Sequence, residues 1–340
     1  MKNEELRMKK LLKKTLKLIL PIVLGGFILY WVYRDFDFSR VGEVLRHGTN
    51  WWWMLFSLLF GVLAQVFRGW RWRQTLEPLD AFPRRSDCVN AIFISYAASL
   101  VVPRIGEVSR CGVLAKYDNV SFAKSLGTVV TERLVDTLTI FLITGITVLL
   151  QMPVFVTFLE NTGTKIPSFA YLLTSVWFYI ILFCFIGVAI LLYYLRKTLF
   201  FYERVKGFVL NIWEGIMSLK GVRNIPLFIF YTLAIWACYF LHFYFTFYCF
   251  AFTAHLGILA ALVMFVGGTF AVIVPTPNGA GPWHFAIISM MMLYGVNVTD
   301  AGIFALIVHG IQTFLQTTTK GRKTMRNTSK MTTLENRFPL

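Results

Sequence analysis

Apolar positions along the chain fall in long unbroken runs with short polar joints between them. The first follows a basic stretch, MKNEELRMKKLLKK, and continues to about Tyr33. Later runs cover about 51–67, 88–102, 124–150, 169–195, 225–252, 257–274, 283–295 and 301–319. Several are long enough for a helix to cross a hydrocarbon layer, which takes about 20 residues. A membrane β-barrel would instead alternate over segments of about ten residues. The first run carries no small-residue cleavage site, so it predicts an uncleaved span.

Two joints break this pattern. In SLVVPRIGEVSRCGVLAKYD, Pro103 ends a helix and the leg from Gly106 to Leu114 is too short to cross. In IVPTPNGAGPWHF, Pro275, Pro277, Gly279, Gly281 and Pro282 interrupt any helix, and the next leg to about Tyr294 is again short. Both joints predict tips of re-entrant helical hairpins, since irregular backbone at membrane depth needs protein or a wet cavity around it.

Composition then excludes a soluble enzyme. Charged residues are 15% of the chain and mean hydropathy is +0.64, against about 25% charged in soluble domains. The net charge of +16 would suggest nucleic acid in a soluble protein, but its distribution points to membrane topology. Segments 1–17, 68–87, 196–223 and 320–340 hold 24 Lys and Arg, and the intervening loops 34–50, 151–168, 253–256 and 296–299 hold 4. Basic residues collect on the cytoplasmic side, so both termini are expected there. The expected fold is an all-α polytopic membrane protein with six full spans and two re-entrant hairpins. It forms one integral domain over 1–340, with inverted halves at about 15–150 and 169–319 and a flexible tail at 320–340. Val-Pro opens both tips, and Asn119-Val120-Ser121 is echoed by Asn297-Val298-Thr299. Inverted repeats with broken helices characterise many transporters. The stretch from Lys197 predicts an interfacial amphipathic helix, and Trp51, Trp52 and Trp53 an aromatic anchor.

Charges inside a bilayer are costly and therefore mark function. Arg104, Glu107 and Arg110 stand where a half-helix begins, whose free N–H groups favour an anion. Glu132, Arg133 and Asp136 lie about ten or more residues into a long helix, near mid-membrane. His284 at the second tip and His309 in the last span are candidates for a proton relay, although packing roles are the commoner use of such histidines. Five cysteines without a CxxC give neither a disulfide framework nor a metal site. No HExxH, GxSxG, P-loop or dinucleotide fingerprint is present, so no cofactor is expected.

At FRGWRW, PRIGEVSR (103–110), TERLVD (131–136) and PTPNGAGPWHF the chain resembles the lysylphosphatidylglycerol synthase transmembrane region, or flippase-like, family. That resemblance spans nearly the whole chain. It implies a membrane-embedded fold that moves or binds phospholipids or polyprenyl-linked lipids, without the aminoacyl-transferring synthase domain found in two-part members. Where family members commonly carry a Gly-Gly tip followed by Glu, this chain has Asn278-Gly279 and Trp283-His284, and His309 stands where a basic residue is common. Arg104, Arg110 and Arg133 would hold a lipid phosphate, and Glu107, Glu132 and Asp136 would balance charge or contact a cationic headgroup. Gly106, Gly279 and Gly281 would let backbone approach, with Asn278, His284 and His309 beside them. The expected activity is translocation of an anionic lipid in the bacterial inner membrane. Its expected partners are membrane phospholipids and a separate lipid-modifying enzyme, not nucleic acid. The competing readings are a non-transporting scaffold and an intramembrane enzyme using Glu132 or Asp136 as base.

Overall fold

A computed structural model of the chain describes residues 19–102, 105–153 and 221–318. Pro103 and Arg104, the run at 169–195, the stretch from Lys197 and the tail at 320–340 lie outside the described residues. Helices account for nearly all the described structure. They are α1 (Ile19–Tyr33), α2 (Ser39–Glu43), α3 (Trp51–Leu76), α4 (Arg85–Val101), α5 (Ile105–Tyr117), α6 (Phe122–Leu150), α7 (Ile225–Tyr244), α8 (Ile258–Ala271), α9 (Pro282–Leu293) and α10 (Val298–Thr318). Among the described residues, three segments are long and apolar enough to cross a membrane: Trp51–Leu79, Phe122–Leu150 and Ile225–Cys249.

Helix ends follow local chemistry. The Asn50 side chain accepts a hydrogen bond from the Trp52 backbone N–H at 3.1 Å and caps α3. Asn224 accepts from Leu227 and caps α7, and Asn297 accepts from Asp300 at the head of α10. Nothing in FRGWRWRQTL can break a helix, so α3 continues until the turn containing Pro78. The segment 68–87, expected on the cytoplasmic side, thus begins as the last turns of this helix. Arg68 and Arg71 are helical and buried.

The chain divides into two compact units, one made of 1–129 and 222–340, the other of 130–221. In the first, α3 packs against α4 and α7, α4 against α5, and α8, α9 and α10 against one another in sequence. Its packing has two apolar centres. One joins Trp72, Leu76, Cys88, Ile92, Cys111 and Leu114 between α3, α4 and α5. The other surrounds Phe247, Phe250, Met264, Met291 and Phe304.

Both Pro/Gly joints form helical hairpins. The α4–α5 hairpin closes tightly at Gly106, where an added Cβ would fall on Ser95 O and Ser99 Oγ of α4. With 13 residues, α5 is about 20 Å long. The second elbow joins α8 to α9. Asn278 (φ +50°), Gly279 (φ +74°) and Gly281 (φ +93°) turn the chain through the left-handed region, which glycine enters without a Cβ penalty. A short 3-10 turn, Pro277–Gly279, rests on α4, and α10 also packs there. Gly281 lies so close to α1 that a Cβ would stand 2.9 Å from Gly25 O. The Asn-Val-Ser and Asn-Val-Thr echo does not extend to environment: Val120 is buried and Val298 exposed.

Of the second unit, the described part is mainly the remainder of α6. Leu138, Phe141, Leu142 and Leu149 are exposed there.

Candidate functional site

A polar row runs down the buried side of α3. Gln65, Arg68, Arg71 and Gln74 follow one another at intervals of three, a spacing that keeps near neighbours on adjoining faces. Arg68 is 5% exposed and Arg71 0%. Arginine guanidinium groups do not lose their charge in proteins, so these are buried cations. The Arg71 Nη1 donates to Thr232 Oγ1 on α7 at 3.2 Å, and its guanidinium carbon lies 5.7 Å from the centre of the Phe228 ring. That of Arg68 lies 5.6 Å from the Tyr239 ring. The Tyr239 and Tyr96 hydroxyls share a hydrogen bond of 2.8 Å, which ties α7 to α4.

Arg110 on α5 supplies a third buried cation, 1% exposed. Its guanidinium carbon sits 4.6 Å from the centre of the Trp72 ring, a cation–π distance. Trp72 is itself fixed, since its Nε1 donates to Thr128 Oγ1 at 2.9 Å. Arg68, Arg71 and Arg110 are thus gathered around one stretch of α3 by aromatic faces and hydroxyls. Glu107 is partly buried three residues before Arg110 on α5. Desolvating three guanidinium groups costs several kcal/mol per ion unless anionic groups or hydrogen bonds meet them. Arginine's planar fork suits carboxylate and phosphate oxygens alike.

The second elbow is held by a different set of bonds. Asn278 Nδ2 donates to Thr313 Oγ1 at 2.7 Å, and His309 Nε2 lies 3.1 Å from Asn278 O. The Gly281 N–H points at His284 Nδ1 at 3.4 Å. His284 and His309 have ring centres 4.6 Å apart, with Trp283 5.2 Å from His309 and Tyr33 5.8 Å from His284. Asn278, Gly279, Gly281, His284 and His309 therefore form one packed group, in which each histidine bonds backbone at the elbow. His242 does similar work elsewhere, with Nδ1 2.7 Å from Ser57 O.

In the second unit, Glu132 and Asp136 are buried and Arg133 is exposed, with Arg133 Nη1 4.0 Å from Asp136 Oδ2. Gly106 lies at the α4–α5 closure, and Arg104 is outside the described residues. The sequence reading missed Arg68 and Arg71 because they follow an apolar run and look like a cytoplasmic flank. The available signal was their interval of three in register with Gln65 and Gln74, without a helix breaker before Pro78.

A family profile described as the lysylphosphatidylglycerol synthase TM region matches residues 18–319. The chain belongs to that family and is an integral membrane protein, and its membership ties it to membrane lipid. No curated protein and no solved structure matches it.

Proposed function

We propose that the protein translocates an anionic lipid, with the headgroup phosphate held by Arg68, Arg71 and Arg110 while the acyl chains stay in the bilayer. The observation that carries this reading is the burial of three permanent cations from α3 and α5 among aromatic rings in one compact unit. A phosphate diester offers oxygens that match the guanidinium fork. Glu107 moderates the positive charge, which keeps binding weak enough for release. Within the same unit, the second elbow at Asn278, Gly279 and Gly281 exposes backbone polar groups that a headgroup can use. His284 and His309 hold that elbow in place.

This reading keeps six full spans, two re-entrant hairpins and two inverted halves. Support comes from the two short-legged hairpins, α4–α5 and α8–α9, both in the first unit. It also places the protein in the bacterial inner membrane with cytoplasmic termini. Without Arg68 and Arg71, the segments expected at the cytoplasm still hold 22 basic residues against 4 in the opposite loops, which preserves the bias. The chain performs no chemistry of its own here, and a separate enzyme makes or consumes the lipid. The test is native mass spectrometry of protein purified in mild detergent. Retained anionic phospholipid or polyprenyl phosphate, lost from Arg71→Met and Arg110→Met variants, is expected. Retention of zwitterionic lipid alone, equal in all forms, would sink the reading.

A further inference from the structure

A second basic feature lies at the C-terminal end of α3, outside the buried arginine group. It is an open cleft of ≈ 320 Å³ lined among others by Trp70, Arg73, Gln74, Glu77, Arg85 and Arg223. Two helices begin at it. Arg85 is the first residue of α4, and Arg223 directly precedes Asn224, the cap of α7. Helix N-termini carry a positive partial charge, so a guanidinium at each raises the energy of the empty cleft. Neither Arg85 nor Arg223 forms an ion pair among the described residues. Arg73 is preset: its Nε donates to Pro83 O at 3.0 Å, and its Nη1 stands 3.6 Å from Glu77. Three arginines against one carboxylate leave the cleft positive.

An independent observation also points to a ligand. Gln74 is 8% exposed and lines the cleft, yet its Oε1 has no hydrogen-bond partner among the described residues. A buried amide end left unpaired costs about as much as a lost hydrogen bond. A rotation of the Gln74 side chain toward the cleft would relieve the oxygen and bring the amide N–H groups to an anionic oxygen there.

We propose that this cleft is a separate binding site for a phosphate-bearing anion, with Arg85 and Arg223 as its main charge partners and Gln74 as its buried hydrogen-bonding floor. The ligand class is a phosphate monoester or diester. A lipid headgroup at the membrane surface and a soluble phosphate compound share that chemistry.

The full chain in nanodiscs of zwitterionic lipid tests it in two arms. In one, phosphatidic acid is added to the nanodisc and bound lipid is counted by native mass spectrometry. In the other, inorganic phosphate and glycerol phosphate are titrated and followed by ³¹P line broadening. The site predicts binding in at least one arm, weakened at least tenfold in Arg85→Gln/Arg223→Gln, only partly weakened in Arg85→Lys/Arg223→Lys, and weakened by salt. Binding in the first arm alone assigns the lipid source, and binding in the second a soluble one. Arg85 and Arg223 are exposed, so the double variant should melt like the parent. No binding in either arm, or equal binding by parent and the Gln variant, overturns the proposal. Because Arg71→Met leaves this cleft intact, the buried site and this one fail independently.

Discussion

Replacing Arg71 by methionine removes a fully buried guanidinium while keeping most of the side-chain volume. Among the interactions lost are the 3.2 Å bond to Thr232 Oγ1 and the contact with Phe228. Thr232 is not stranded, because its hydroxyl donates to Phe228 O at 2.9 Å. The lost hydrogen bond is worth about 1 kcal/mol and the cation–π contact about 1–2 kcal/mol. Relief from burying a cation works against these losses, and the melting curve measures the balance. Phosphate binding should change far more. A hydrogen bond to a charged partner contributes about 1.5–3 kcal/mol, which is roughly 10- to 150-fold in Kd. Arg71→Lys keeps the charge without the fork and should fall between the two. The assay is titration of detergent-solubilised protein with short-chain phosphatidylglycerol, beside a melting curve for each variant. A Met variant that binds within twofold of the parent would refute the reasoning, since the most buried cation would then not touch phosphate.

Other expectations are independent of the lipid. Gly106→Ala should destabilise the protein by about 1–3 kcal/mol, because the new Cβ meets Ser95 O and Ser99 Oγ; Gly112→Ala, with open space around it, should be neutral by the same melting assay. Gly69→Ala should behave like Gly106→Ala, as its Cβ would stand 2.7 Å from Val89 Cα. Asp118, in the turn between α5 and α6, has its carboxyl pKa raised by burial and then by the neighbouring Asp87. A raised carboxyl favours the protonated folded state, so this group lowers stability as pH climbs from the unfolded value of about 3.9. Asp118→Asn should therefore raise the melting temperature at pH 7, by roughly 2 °C at most, and have no effect below pH 4; a benefit that persists there would contradict this cause.

Periodicity and breakers carried much of the architecture. Pro103, Gly106 and the Pro275–Pro282 cluster marked two elbows that the structure bends into hairpins, because a missing N–H and positive φ are local properties legible from residue type. Arg110 was legible too, since a cation beside a short helix between apolar runs stands out. Arg68 and Arg71 were not. Their burial depends on Thr232, Phe228 and Tyr239, roughly 160 residues away along the chain, and no local pattern records such partners. Nor could the sequence tell that His284 and His309 would meet each other and the Asn278 backbone, since that pairing arises only when α9 folds against α10.

The central claim is that guanidinium groups buried on α3 and α5 conduct a phosphate headgroup. Reconstituted vesicles carrying a fluorescent phosphatidylglycerol, with the outer leaflet bleached by an impermeant reductant, measure this most directly. The full chain should speed transbilayer movement over empty vesicles, and Arg71→Met/Arg110→Met, inserted and folded, should abolish the gain. Movement at the empty-vesicle rate for every anionic headgroup tried, or undiminished movement in the double variant, would contradict it.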